Sequence, residues 1–391
     1  MTLPALPERL PERIQDLAPK WAHFCLDVEK FARDGLGVDL GGKTLLAAVS
    51  GGLDSVCLLV VAKLLARKNR GRVFAGHLDH GLRPESAADA RFVQELCAHL
   101  DVPCRAGHAD VAGQAAASGL GIEEAGRIAR AKFLESLRSE LNADLILLGH
   151  HLGDLAEDVL LRLCRGTGWP GLAGMAGYDP DRRILRPFLH TPKAELAAFA
   201  QAVGLHFCED ASNQDRSFAR NRLRAEVLPR LKDQAPGLLE SVARLSRLAA
   251  LDRAHFDAAL SEAGFGAADF PPHREGRPAL IPKSERPDSP TAADSQPPGG
   301  IDFQAQPPAL PPDRVRVHLP RERLALLHPA LRLRLYHRVL DALGPGQVLA
   351  DSLLLLDQAF AEKRTGCLIQ FPGGKAAKIT AAGIDFSREN Q

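Results

Sequence analysis

The sequence predicts an α/β protein, a parallel sheet with helices on both faces, joined to a small helical second domain. Three observations predict it. From residue 43 onward, short apolar runs alternate with stretches of helical length. The first run ends in a glycine-rich turn, Ser50-Gly51-Gly52-Leu53-Asp54-Ser55, which opens straight into an apolar helix. The last third carries leucines at helical spacing around a proline-rich stretch.

Bulk properties narrow the class. At 391 residues the chain exceeds one ordinary domain, and 45% hydrophobic residues support a real core. No apolar run reaches about 18 residues, so no membrane span is expected. The start, MTLPALPERLPERIQDLAPKW, holds acids and prolines where a secretory signal would be apolar, which predicts a cytoplasmic protein. Seven cysteines form no Cys-x-x-Cys pair, which argues against a zinc ribbon, a cysteine-ligated cluster or a disulfide scaffold. A net charge of +1 names no partner, so charge has to be read locally.

Residues 1–40 read as a helical leader, with Trp21, Phe24, Leu26, Val28 and Phe31 on one face. Residues 41–232 read as the α/β domain. Its expected strands are Leu45–Val49, Val73–Leu78, Val102–Ala106 and Leu145–Leu148. Its expected helices are Ser86–Leu100, Ile122–Leu141 and Asp154–Cys164. Residues 233–391 read as the small helical domain. Leu238–Leu260 supplies one helix, and Leu324, Leu327, Leu331, Leu335 and Val339 form the stripe of another. Residues 271–312 hold 12 of the 28 prolines and few aliphatics, so a disordered insertion is expected there.

A strand, a glycine turn and a helix start together make an anion site. Glycines admit the ligand to the backbone, and the first helical amides point at it. Ser50 and Ser55 add hydroxyls, and Asp54 adds a carboxylate able to hold Mg²⁺. Three further polar clusters fall at strand ends or helix starts, where ligands of such sheets sit. They are His77-Leu78-Asp79-His80-Gly81-Leu82-Arg83, then Glu124 to Arg130, then Gly149 to Glu157. Arg127 and Arg130 share a helix face, as a solvated pair or as a phosphate clamp. Asp154 and Glu157 share the first turn of a helix, where acids also suit the helix dipole. Residues 216–232 hold six Arg or Lys against one Glu, as a solvated basic helix or as a nucleic-acid contact.

The Ser50–Ser55 string is not a Walker A loop, which needs Gly-x-x-x-x-Gly-Lys-Ser/Thr. It resembles the PP-loop of the ATP pyrophosphatases, which cleave ATP between its α and β phosphates and adenylate a carbonyl oxygen. The clusters together resemble the tRNA(Ile)-lysidine synthetases, over residues 43 to about 247. His77 to Arg83 matches the family's H-x-D-H-G-L-R fully. Arg127 and Arg130 retain its A-R-x-x-R-Y helix, with Gly126 and Ala131 at two of the other positions. His150, His151, Asp154 and Glu157 retain H-H-x-D-D-x-x-E-T, with Gly153 replacing the first aspartate and Asp158 the threonine. Leu160–Met175 and Arg186-Pro187-Phe188 match the segments that follow. Asp210 to Asp215, Arg220-Asn221-Arg222-Leu223-Arg224 and Val227-Leu228-Pro229 match D-x-S-N-x-D, R-N-x-x-R and V-L-P in order.

The resemblance implies ATP-dependent ligation of free lysine to the wobble cytidine of a minor isoleucine tRNA, with Mg²⁺. It implies that Ser50, Gly51, Gly52, Leu53, Asp54, Ser55 and His80 bind the nucleotide. Asp54, Arg127, His150, Asp154 and Glu157 would serve the chemistry, Asp54 and Asp154 the metal, and Arg220, Arg222 and Arg224 the tRNA. Two alternatives stand beside it. One is a tRNA 2-thiolating enzyme of the same superfamily, although such enzymes commonly use the Cys-x-x-Cys pairs missing here. The other is a nucleotide-dependent tRNA-binding protein with weakened catalysis. The oligomeric state is left open, a dimer included.

Overall fold

The computed structural model describes residues 10–82, 86–208, 219–265, 316–344, 346 and 348–388. Arg83, the Asp210–Asp215 motif and the proline-rich 271–312 stretch lie outside the described residues. The chain divides into two compact units.

The first unit holds the described residues 10–154 and 177–208. It runs α1 (Pro19–Lys30), β1 (Thr44–Ala48), α2 (Leu53–Lys68), β2 (Arg72–Asp79), α3 (Ser86–His99), β3 (Cys104–His108), α4 (Val111–Ser118), α5 (Ile122–Glu140), β4 (Leu145–Leu147), the start of α6 (Leu152–Cys164), β5 (Tyr178–Asp179), β6 (Ile184–Leu185) and α7 (Lys193–Val203). The sheet order is β3-β2-β1-β4-β6-β5. All pairs are parallel except β5 with β6. The parallel α/β expectation is met.

Burial explains the sequence pattern. β1 is central, and Leu45, Leu46 and Ala47 are all buried. A strand covered on both faces needs apolar residues at every position, so its run does not alternate. Leu45 and Ala47 join the core that α1, α2, α3 and α7 build. Leu46 points the other way, to Leu134 and Leu137 of α5. α2 is apolar around most of its circumference because α1 and α7 cover what the sheet does not. The leader packs through an aromatic cluster: Phe24 lies 5.2 Å from Phe199 and Trp21 5.8 Å from it, centroid to centroid. Leu26 and Phe31 are half-buried, and Phe31 stacks near His190.

Chain order matters most at β1. Its neighbours are β2 on one side and β4 on the other. The loops leaving β1 and β4 therefore diverge and leave a crevice beyond their carboxyl ends.

The second unit holds residues 155–176, 219–265 and the described residues from 316 onward. Beyond the rest of α6 it contains α8 (Ala219–Arg222), α9 (Leu228–Gln234), α10 (Leu238–Glu262), β7 (Arg316–Pro320), α11 (Arg321–Leu326), α12 (Pro329–Ala342), α13 (Ala350–Ala361), β8 (Leu368–Phe371), β9 (Lys375–Ile379) and β10 (Gly383–Arg388). The expected helices are there, accompanied by an antiparallel sheet in the order β7-β10-β9-β8 that the sequence reading did not include. The 324–339 stripe is buried except for half-buried Leu331, but it spans two helices. Pro329 forces the break, since His328 before it is extended at φ −60° and ψ 143° and caps α12. Among the described residues no helix is long and apolar enough to cross a membrane.

Candidate active site

In the first unit the Ser50–Ser55 turn leaves β1 and starts α2, as its residues require. Gly51 sits at φ +93°, a conformation an L side chain would strain. The Ser55 hydroxyl fills the centre of the turn. It accepts from the Ser50 and Gly51 amides, both at 3.2 Å, and donates to the Gly52 carbonyl at 2.8 Å. Ser50 Oγ lies 3.2 Å from the same hydroxyl. The loop is thus held open by its own serine, while Leu53 and Asp54 occupy the first turn of α2, where amides have no partner inside the helix. Cys208 N donates to the Gly51 carbonyl at 2.9 Å and braces the turn from a distant part of the chain.

β4 approaches this turn closely. A Cβ on Gly149 would stand 3.1 Å from the Asp54 carbonyl oxygen, so a side chain there would push the two elements apart by a few tenths of an ångström. The next residues form the start of α6. His151 Nδ1 accepts from the Gly153 amide at 2.9 Å and lies 3.3 Å from the Asp154 amide, capping the helix. An Nδ1 that accepts leaves the proton on Nε2, and Nε2 lies 3.7 Å from Asp54 Oδ2. The same ring lies against Gly153. A Cβ there would stand 2.7 Å from His151 Cε1, in the space the imidazole fills. Asp154 Oδ2 accepts from the His151 amide at 2.9 Å, completing a reciprocal cap.

The remaining predicted residues of this unit gather at the same end of the sheet. His150 Nδ1 accepts from Arg186 Nε at 3.1 Å, so the Arg186-Pro187-Phe188 turn orients it. His77 Nδ1 bonds the Val49 carbonyl at 2.8 Å and ties the end of β2 to that of β1. His80 lies over α5, its Nδ1 3.7 Å from the place of a Cβ on Gly126. A small residue before Arg127 is thus what brings the His77–Gly81 loop onto that helix. Arg127 is about half exposed and forms a two-pronged pair with Glu124 on its own helix. Through that hydrogen bond Arg127 draws the Glu124 carboxyl below its ordinary range. Asp79 is also held low. Burial opposes this, but the Gly81 amide at 2.8 Å, the Ser86 hydroxyl and His108 outweigh it.

One feature of the site had no signal in the sequence. Lys193, the first residue of α7, places Nζ 3.7 Å from Asp54 Oδ2. It belongs to no motif, and only the folded chain brings position 193 to position 54. His151 was visible as half of a histidine pair, but not as the cap of α6.

The second unit holds Glu157, one helical turn beyond Asp154 on α6. Its side chain is only 2% exposed. Arg220 Nε meets Oε2 at 2.8 Å. Arg224 Nε meets Oε1 at 2.6 Å and its Nη2 meets Oε2 at 3.0 Å. Both arginines stay about a third exposed, at 30% and 34%. Arg222 points elsewhere and is exposed. The basic stretch therefore uses its 220/224 face to neutralise a buried carboxylate.

Among the described residues no group of three His, Cys, Asp or Glu side chains is arranged to hold a metal. Of the two expected metal carboxylates, Asp54, 27% exposed in its side chain, is the more open; Asp154, at 11%, has an oxygen committed to the helix cap.

Comparison with known proteins gives the geometry its family. The PP-loop domain family matches residues 23–231, which contain every residue of both clusters. A tRNA(Ile)-lysidine synthase of Nitratidesulfovibrio vulgaris is 40% identical over 342 residues, covering 88% of this chain and 91% of that protein. Those of a Thermotoga species and of Bacillus subtilis are 36% and 37% identical, each over about half of this chain, and the chain spans 49% and 44% of their lengths. An identity of 40% sustained across nearly the whole of one relative leaves little room for another assignment: the chain belongs to the tRNA(Ile)-lysidine synthase family, built on a PP-loop domain.

Proposed function

We infer that the protein is an ATP-dependent ligase that joins free lysine to the wobble cytidine of the minor isoleucine tRNA. The observation that carries this reading is the Ser50–Ser55 turn at the sheet's crevice with Asp54 beside it, in a chain of this family. In the first step the cytosine 2-carbonyl oxygen attacks the α-phosphorus of ATP. The bond from that phosphorus to the bridging oxygen breaks, and pyrophosphate leaves with the electron pair. In the second step the lysine ε-amine attacks C2, the C2–O bond breaks, AMP leaves, and the amine gives up a proton.

The residues divide the work by position. The first amides of α2 and the Ser50 hydroxyl bind the pyrophosphate half. Mg²⁺ supplies further positive charge to the phosphates, and Asp54, backed by Asp154, would hold it. His80, His150 and Arg127 offset charge at the α-phosphate. Arg127 reaches it by leaving Glu124, an exposed partner held at little cost. Free lysine has a pKa of about 10.4, so its amine needs a base or desolvation. Asp154 is the carboxylate for binding and deprotonating it. Both Glu157 oxygens already accept from guanidinium groups, which leaves proton acceptance to Asp154. Arg220, Arg222 and Arg224 meet tRNA phosphates, Arg222 from an exposed position and the other two with their exposed thirds.

Radiolabelled lysine, ATP and total tRNA test this directly. The expected result is lysine transfer to tRNA with one AMP and one pyrophosphate per lysine. Turnover that needs a sulfur donor instead, or tight tRNA binding with no lysine transfer, would overturn the reading.

A further inference from the structure

We propose that Lys193 is a pyrophosphate-binding residue of this site, and that it leaves Asp54 for the nucleotide when ATP binds. The inference rests on the ATP-cleaving reading and adds a residue to it.

The starting point is a missing charge. In a Walker A loop a lysine inside the motif reaches the β and γ phosphates. The Ser50–Ser55 string contains no lysine or arginine, only amides, hydroxyls and the Asp54 carboxylate. A leaving pyrophosphate gains negative charge as the phosphorus–oxygen bond breaks, and a fixed cation at that place lowers the barrier. The cation has to come from another element.

α7 supplies it. The helix packs on α2, where the Cys57 thiol reaches the Leu196 carbonyl at 3.5 Å, and its buried Phe199 meets Trp21 and Phe24 of α1. The segment before it is tied to the start of α6, where Leu152 N donates to the Thr191 carbonyl at 3.0 Å. Three helix starts therefore meet at one place: α2 with Asp54, α6 with His151, and α7 with Lys193. Lys193 is the first residue of its helix, so its side chain sits at the positive end of the α7 dipole. Its backbone is held while its side chain is 54% exposed and 3.7 Å from Asp54 Oδ2, at the rim of the Ser50–Ser55 turn. An ion pair this exposed is weak and easily exchanged. A carboxylate engaged with Mg²⁺ releases the ammonium, and the phosphates of the same ligand are the nearest acceptors.

Titration calorimetry with ATP, AMP and metal-free inorganic pyrophosphate tests the proposal. Lys193→Met is expected to weaken ATP and pyrophosphate binding roughly tenfold to a hundredfold, the worth of one charge-assisted hydrogen bond. AMP lacks the pyrophosphate, so its affinity should stay within about twofold. Lys193→Arg should keep most of the affinity, which also shows that loss of folding is not the cause. An Asp54→Asn background separates the two roles of the lysine. If Lys193 touches phosphate, Lys193→Met still weakens pyrophosphate binding there; if it only balances Asp54, the effect vanishes. Unchanged ATP affinity, an equal loss for AMP, or an effect that vanishes with Asp54→Asn would each overturn the proposal while leaving lysine transfer by the wild type intact. A wild-type protein that binds no ATP would sink the parent reading as well.

Discussion

Replacing Arg220 and Arg224 together by alanine should destabilise the second unit before it says anything about RNA. Glu157 is 2% exposed in its side chain, and these guanidinium groups meet both of its oxygens at 2.6 to 3.0 Å. At an effective dielectric of about 20, each contact is worth roughly 4 kcal/mol of gross attraction, and desolvation of the carboxylate cancels much of it. Removing one arginine leaves the other to cover the carboxylate, so a single variant loses about 1.5 kcal/mol, the low end for hydrogen bonds to a charged group. Removing both strands a buried charge. The usual cost is about 3–5 kcal/mol, and arginines a third exposed point to the lower end, about 3 kcal/mol. The double loss thus matches or slightly exceeds the two single losses taken together. Adding Glu157→Met to the double variant removes the stranded charge and should recover most of the stability, because apolar replacements of buried ion pairs are often neutral. Urea unfolding followed by circular dichroism measures all of these, with the coupling taken from the cycle. A double variant within about 0.5 kcal/mol of wild type, or a triple variant no more stable than the double, would refute the reasoning.

Arg222→Ala should lower the slope of log tRNA affinity against log salt by about 0.7 to 0.9, the share of one phosphate contact, in a salt titration. Gly149→Ala pushes a Cβ to 3.1 Å from the Asp54 carbonyl, so ATP affinity should fall about tenfold by calorimetry; an unchanged affinity would mean that β4 and the turn can separate freely. Asp54→Asn should abolish most lysine transfer while the circular dichroism spectrum stays that of the wild type, and near-normal transfer would remove Asp54 from its role. Asp79 has a depressed carboxyl, so its stabilisation is present above the ordinary carboxylate pKa of about 3.9 and fades as pH falls through the lower folded value. Asp79→Asn should therefore flatten the acid side of the stability profile, and an acid limb as steep as that of the wild type would show that the Gly81, Ser86 and His108 contacts do not hold the charged form.

The parallel α/β half and the nucleotide turn were legible in the sequence, for local reasons. A central strand buried on both faces must be continuously apolar, as Leu45–Ala47 is, and a helix covered on several sides must be apolar around its axis, as α2 is. A turn that offers amides to phosphate needs the positive φ that Gly51 supplies. These requirements act over a few residues, so they leave a local imprint. The 368–388 strands left a weak one, since they are four to six residues long and Lys375 is buried within them. The break at Pro329 was written in the sequence, yet the leucine stripe ran across it because α11 and α12 bury the same side of the chain. Pairings between distant positions emerge only in the folded chain: Lys193 with Asp54, Arg186 with His150, His80 over Gly126, and Glu157 gripped by Arg220 and Arg224. A charge in a sequence does not carry its partner's address. The basic run at 216–232 illustrates the point, because composition counts its positive charge but only burial of Glu157 shows how much of it is already spent inside the protein.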